Sequence, residues 1–325
     1  CEALLNISKI ICFDNFSTGK KKNIEDFLSH PNFKLIEGDI RNLADCESAC
    51  KGIDYVLHHA ALGSVPRSIK DPITTNEVNI SGFLNMLVAA QQAGVKRFIY
   101  AASSSTYGDH QKLPKVEHVI GKPLSPYAIT KYVNELYADI FNTTYNFETI
   151  GLRYFNVFGK RQDPNGSYAA VIPKFVKQLI KYESPIINGD GSYSRDFTYI
   201  YNVVQMNINA LTTNNHNAVN TVYNVAFGER TTLLELVGLL KNYLSEYDPK
   251  IQCVEIKHTY NRMGDIPHSL ASIDKAKELL EYNPQYDIKS GLKEAIAWYW
   301  ENLRWTMSKI KIAIIGLGYV GLPLA

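Results

Sequence analysis

The sequence predicts an α/β fold, a doubly wound parallel sheet accompanied by a smaller mixed α/β lobe. Three observations predict it. Short β-branched runs alternate with helical patterns through the first half of the chain. Those runs are continuously apolar, as in strands covered on both faces. Acids, serines and glycines follow them directly, where ligand sites lie in such sheets. The strands are Lys9–Phe13, Phe33–Glu37, Tyr55–His58, Arg97–Ala102 and Thr149–Leu152, with helices over Thr75–Ala93 and Tyr127–Tyr145 between them.

The second half is more mixed. Helices are predicted over Ala169–Lys181, Tyr201–Leu211, Thr232–Leu244, Ser272–Leu280 and Ile288–Leu303. Thr232 and Glu235 have the capping-box spacing that fixes one helix start. Short strands at Pro185–Asn188, Thr221–Val225 and Gln252–Ile256 separate the helices. No repeat or low-complexity linker divides the halves, so they are expected to share one cleft.

Composition narrows the class. Of 325 residues, 46% are apolar and 20% charged, enough for a substantial core. A net charge of +2 argues against a nucleic-acid partner. The five cysteines are odd in number and lack zinc spacing, which fits free thiols in a reducing, cytoplasmic setting. The longest apolar run is the carboxy-terminal tail, shorter than the about 20 residues a bilayer span needs, so no membrane partner is expected.

The stretch Ser125-Pro126-Tyr127-Ala128-Ile129-Thr130-Lys131 carries the chemistry. Pro126 suits a first helical turn, which places Tyr127 and Lys131 at i and i+4 on one face. A phenol is a weak base at neutral pH, and a nearby ammonium favours its ionised form. Such a pair can remove a proton from a hydroxyl. Upstream, a buried strand ends in Ser103, Ser104 and Ser105, and a serine there can share the proton. Asp14 follows the first strand, where an acid can bind ribose hydroxyls. Asp39 follows the second strand. His58 and His59 follow the third and read as packing or hydrogen-bonding residues.

Together these stretches resemble the extended short-chain dehydrogenase/reductase family, and within it the nucleotide-sugar 4-epimerases, most closely those acting on UDP-N-acetylglucosamine. The resemblance spans residues 1–305 and rests on FDNFSTG, EGDIR, HHAALGSVPRS, AASSSTYGD, SPYAITKY, LRYFNVFGKRQDPNGSYAAVIPKF, GDGSYSRDFTYI and RMGDIPHSLASIDKA. It implies a Rossmann-like region over residues 1–160 that binds NAD and a substrate lobe over 161–306. In the family the NAD stays bound. Tyr127 would take the proton of the sugar 4-hydroxyl while hydride passes to the nicotinamide, and the 4-keto sugar would turn before hydride returns.

The resemblance also assigns roles. Lys131 would hold the nicotinamide ribose, with Ser103 and Ser105 beside the sugar. Asp14, Asn15, Ser17, Thr18, Gly19, Asp39, Ile40, His59, Ala60, Ala61, Asn79 and Tyr154 would line the cofactor. Gly63, Ser64, Asn156, Gln162, Ala170, Val171, Arg195, Arg262, Asp265 and Ser269 would line the UDP-sugar. The two arginines would face the diphosphate, since guanidinium bonds phosphate in bidentate fashion. Ser269 stands where some UDP-glucose enzymes have a bulky Tyr, which favours a UDP-N-acetylhexosamine or the corresponding uronic acid. Tyr201 departs from the family's usual acid. A plain UDP-glucose 4-epimerase, a dehydratase or decarboxylase, and an inactive fragment stay open as alternatives, although SSSTYG lacks the Asp-Glu pair of a 4,6-dehydratase. A homodimer is a family expectation.

Both ends of the chain stand out. No strand and glycine loop precede KIICF, so the sheet is expected to lack its first strand and the chain to be truncated at its amino terminus. The tail over 307–325 holds Gly316-Leu317-Gly318-Tyr319-Val320-Gly321 and resembles the start of a UDP-sugar 6-dehydrogenase. Its Ile312–Ile315 could fill the vacant place in the sheet.

Overall fold

The computed structural model describes residues 1–165, 169–260 and 266–304. Five strands lead the first half: β1 (Ile10–Asp14), β2 (Phe33–Glu37), β3 (Tyr55–His58), β4 (Arg97–Ser103) and β5 (Glu148–Tyr154). The short strands β6 (Val157–Phe158), β7 (Ile186–Asn188), β8 (Ser194–Arg195) and β9 (Thr198–Tyr199) follow. Then come β10 (Thr221–Val225), β11 (Thr231–Thr232) and β12 (Lys257–Thr259). The helices are α1 (Leu43–Cys50), α2 (Val65–Lys70), α3 (Pro72–Asn76), α4 (Phe83–Gln92) and α5 (Pro126–Tyr145). The later ones are α6 (Val171–Ile180), α7 (Ile200–Thr212), α8 (Leu233–Ser245), α9 (Asp274–Leu280) and α10 (Ile288–Leu303).

The main sheet is parallel, in the order β10-β5-β4-β3. Its outer strand β10 comes from the stretch assigned by sequence to the second lobe, so the chain returns to the first-half sheet after residue 220. Successive side chains of a strand point to opposite faces. On β4, Phe98, Tyr100 and Ala102 pack with α4, α1 and α5, whereas Ile99 packs with Val203 and Met206 of α7 and Ala276 of α9. Covering both faces is what makes these strands continuously apolar. A third core, formed by α6, α8 and α10, fills the second lobe around Phe175, Leu240 and Tyr299.

β1 and β2 form a separate parallel pair. Among the described residues no strand joins β1 to β3. All five residues of β1 are only half-buried, whereas β4 buries six of its seven. The stretch from 305 on, with Ile312–Ile315, lies outside the described residues.

Two secondary-structure expectations are corrected. Gln252–Ile256 is not a strand. Asp248 caps a 3-10 turn over Pro249–Cys253, and pairing with β7 begins only at Lys257. The helix expected over Thr75–Ala93 starts earlier, at Pro72, and is interrupted by a π-helical turn over Glu77–Gly82. That turn brings Gly82 against Ile40, where an added Cβ would lie 2.6 Å from Ile40 Cγ1. Helix propensity does not foresee such tight packing. The capping box is as predicted, with Thr232 Oγ1 accepting from Glu235 N.

Gly151 sits mid-sheet between Tyr100 and Val222, its neighbours in register on β4 and β10. A Cβ there would come 2.6 Å from the Tyr100 hydroxyl oxygen and 2.7 Å from Val222 Cγ1. Gly151→Ala is expected to destabilise the chain by about 1–3 kcal/mol, read as a lower urea midpoint with an unchanged slope.

Candidate active site

The site is built at the carboxyl end of β4. Ser125 caps α5, its hydroxyl accepting from Ala128 N at 3.1 Å, and Pro126 occupies the first turn. This start fixes Tyr127 and Lys131 one turn apart on the face toward the sheet. Lys131 is buried, and its Nζ donates to the Ala101 carbonyl at 2.8 Å. The Tyr127 phenol faces the hydroxyl of Ser103, the last residue of β4. Ser103 Oγ accepts from the Ser105 amide at 3.2 Å and lies 2.9 Å from the Ser105 hydroxyl. A phenol, two hydroxyls and an ammonium are thus brought together.

Burial dominates the electrostatics. It pushes the Lys131 ammonium down to about 8, with Glu135 opposing the shift. It holds the neighbouring His58 imidazole down to about 3, so that ring stays neutral. It also raises the Tyr127 phenol, an effect that the facing Ser103 hydroxyl partly offsets. The sequence expectation that Lys131 lowers Tyr127 is therefore corrected for the free chain. Loss of water around the phenol outweighs the charge effect, and Lys131 is bonded to a carbonyl of β4.

The proposed cofactor residues lie along the same edge. Asp14, at the end of β1, accepts from the Phe16 amide at 2.7 Å. A Cβ on Gly19 would stand 3.3 Å from both Asp14 oxygens, so glycine keeps that carboxylate open. Ser17 and Thr18 lie on the exposed bend between them. Asn15 donates to Asp39 at 2.9 Å, and Arg41 forks onto both Asp39 oxygens. Arg41 thereby holds the Asp39 carboxyl far below its usual range. Ile40 is buried against the π-helical turn.

Asn79, inside that turn, is engaged with the scaffold. It accepts from Leu62 N at 2.7 Å and donates to Leu62 O and Thr130 Oγ1, tying the loop after β3 to α5. In that loop Ala60 is exposed, Ala61 is half-buried, and a Cβ on Gly63 would meet nothing within 4 Å. Ser64 has a φ of 100° and caps α2. His59 Nε2 lies 3.0 Å from the Tyr154 hydroxyl at the end of β5, with the rings stacked. Asn207 bonds the same hydroxyl at 2.9 Å.

The substrate candidates are partly assembled. Asn156, Ala170, Val171 and Arg195 line one cavity of about 300 Å³, together with Asn188 and Phe197, which sequence reasoning did not single out. Arg195 donates to the Ser194 and Pro267 carbonyls at 3.0 and 3.1 Å. Gln162 donates to Val157 O, while its buried Oε1 finds no acceptor role among the described residues. Ser269 is half-buried and is held through its amide by Ser194 O. Gln162 and Ser269 do not line the cavity. Arg262 and Asp265 lie outside the described residues.

Two buried groups had no sequence signal. Asp196 accepts amides from Phe227, Gly228 and Ala271, tying the ends of three segments beside the cavity. Burial raises its carboxyl to about 7 against those hydrogen bonds. Glu135 and Arg153 form a buried ion pair behind Lys131. Only the position of Glu135, one further turn along the Tyr127/Lys131 face, could have drawn attention to it.

Residues 1–226 match the model of the NAD dependent epimerase/dehydratase family. The chain belongs to that family. Its cofactor is NAD, and the open carboxylate of Asp14 beside Gly19 fits a ribose there. A putative UDP-glucose 4-epimerase of Methanocaldococcus jannaschii is 34% identical, over 91% of this chain and 92% of that protein. The UDP-N-acetylglucosamine 4-epimerase of Methanobrevibacter ruminantium, solved with UDP-N-acetylmuramic acid, is 38% identical with a TM-score of 0.85, over 92% of this chain and 93% of that one. The UDP-glucuronic acid 4-epimerase of Bacillus cereus, solved with its substrate and NAD, is 28% identical with a TM-score of 0.82, over 93% and 94% of the two chains.

The buried ammonium gives a stability prediction. Folded Lys131 releases its proton near 8, whereas the unfolded lysine holds it to 10.5. Between those values the unfolded chain binds more protons, so this group makes stability rise with pH. Lys131→Met should remove that rise and stabilise the chain near neutral pH by on the order of 2 kcal/mol. Calorimetry of both proteins at about pH 7 and about pH 9.5 tests it: the stability gap should narrow at the higher pH, where the unfolded lysine still holds most of its proton.

Proposed function

We propose that the chain is a nucleotide-sugar 4-epimerase acting on a UDP-N-acetylhexosamine. The observation behind this reading is the meeting of Tyr127, Ser103 and Lys131 at the end of β4. NAD, when bound, supplies the hydride acceptor and donor. Tyr127 Oη takes the proton of the sugar 4-hydroxyl as hydride leaves C4, and gives it back to the same oxygen once hydride has returned to the other face of the turned 4-keto ring. Ser103 bonds the same oxygen, and Ser105 holds Ser103 in place. Lys131 keeps a positive charge beside the phenolate as it forms. Asp14 and Asn15 hold the adenosine side of the cofactor, and the 60–64 loop lets backbone approach it. Arg195 and Asn156 hold the diphosphate over the cavity, and residues 161–306 serve as the substrate lobe.

The acetylated substrate is supported by the 38% identity to the UDP-N-acetylglucosamine enzyme. The small half-buried Ser269 and the unpartnered Gln162 oxygen are consistent with it. The uronic-acid reading is supported by the Bacillus cereus likeness. The five free thiols fit a cytoplasmic enzyme.

A homodimer completes the proposal. Ile129, Leu136 and Ile140 share one face of α5 and are 50%, 48% and 55% exposed. Ile69 and Ile73 extend this apolar surface from α2 and α3, which pack on α5. Such a patch fits the same patch on a second copy. Leu136→Lys with Ile140→Lys should halve the mass measured by sedimentation, and an unchanged mass refutes this interface.

Incubation of the NAD-loaded chain with UDP-N-acetylglucosamine, UDP-glucose and UDP-glucuronic acid, with separation of the 4-epimers, tests the activity. Turnover is expected to be fastest for the acetylated sugar. Tyr127→Phe should lower kcat by about 10²–10⁴-fold with substrate binding retained.

A further inference from the structure

Tyr127, Lys131 and Glu135 occupy i, i+4 and i+8 of α5, a single face turned to the sheet. Arg153 reaches Glu135 from β5, where it pairs in register with Ala102 of β4. Arg153 Nε donates to one Glu135 oxygen at 2.9 Å and Nη2 to the other at 2.7 Å. Its Nη1 donates to the Glu117 carbonyl at 2.9 Å. The guanidinium carbon lies 4.9 Å from the centre of the Tyr107 ring. Tyr107 in turn donates to Asn224 at 2.6 Å. The pair is nearly dry, with side-chain exposures of 3% and 8%.

Stability alone does not account for this pair, because buried ion pairs are commonly no better than apolar packing. Its location has a specific consequence. Glu135 is a desolvated carboxylate one helical turn from a desolvated ammonium. Unopposed, it would draw Lys131 Nζ along the helix, away from the Ala101 carbonyl and the end of β4. Both Glu135 oxygens are instead held by the fork of Arg153, and Lys131 stays bonded to β4 beside Ser103.

We propose that Arg153 is a positioning residue for Tyr127 and Lys131: by holding both oxygens of Glu135, it keeps the Lys131 ammonium at the end of β4. What the positioned pair accomplishes rests on the epimerase reading; the holding itself belongs to the chain without substrate. Other titratable groups also face Lys131. From β3 these are His58 and His59, both of which sense its charge. On α5 itself they are Tyr127 and Glu135. Tyr100 of β4 and Arg153 of β5 act on Glu135 from behind.

The test is a carbon-13 NMR titration of Cε-labelled lysines in the intact chain, with the Lys131 signal identified by its loss in Lys131→Arg. In Arg153→Met the released carboxylate should raise the Lys131 midpoint by about one unit. In the NAD-loaded variant kcat should fall about tenfold or more, with KM nearly unchanged. Removing the carboxylate as well, in Arg153→Met/Glu135→Gln, should return the midpoint and kcat toward the parent values. A folded Arg153→Met whose Lys131 midpoint does not move overturns the proposal, whatever its activity. Should that variant fail to fold, Arg153→Lys keeps the charge and loses the fork; a smaller rise is expected there, and an unmoved midpoint is equally decisive. The titration uses no substrate, so a chain inactive on UDP-N-acetylglucosamine would still give this result.

Discussion

The desolvated ammonium of Lys131, held at 2.8 Å by the Ala101 carbonyl, organises the end of the sheet around it. A cation with almost no water needs oriented oxygen close by, or it gives up its proton. Here the oxygen comes from the backbone of β4, one of the most deeply buried strands. The helix that carries Lys131 must therefore lie tightly against β4. That contact also sets Tyr127 against Ser103, because the cap at Ser125 and Pro126 in the first turn leave α5 little freedom at its start.

Around this point the structure is held by buried polar groups as much as by apolar packing. Asn79 links the loop after β3 to α5, and Arg153 links β5 to α5. Tyr107 and Asn224 continue the Arg153 network to β10. Each member is bonded on several sides, the condition under which a buried polar network fixes a single arrangement. The face of α5 that carries Tyr127 and Lys131 is thus held by buried partners from β5, β10 and the loop after β3.

The same logic joins the two lobes. Asp196 follows Arg195 and gathers amides from the segment after β10 and from Ala271. Arg195 is braced by the Pro267 carbonyl. Segments 75 positions apart in the chain, at Asp196 and Ala271, are therefore joined beside the cavity that Arg195 and Phe197 line. The rings of Tyr199, Tyr201 and Tyr286 pack against one another.

What the sequence determined by itself was local. Short runs of aromatic and β-branched residues located β2, β3 and β10 to the residue, because such side chains favour the extended backbone whatever the neighbours are. The spacing of Ser125, Tyr127 and Lys131 gave the cap and the shared helix face, because an α-helix repeats every 3.6 residues. Only the tertiary structure decided what each charged group meets. No periodicity could show that Lys131 bonds β4, that Arg153 takes Glu135, that Asp196 collects three distant amides, or that burial outweighs charge at Tyr127. Gln252–Ile256 looked like a strand yet is a capped turn, since no partner edge stands beside it until Lys257. Desolvation and pairing depend on which segments approach in space, and a sequence read along one dimension carries that information only where neighbours in the chain are also neighbours in the fold.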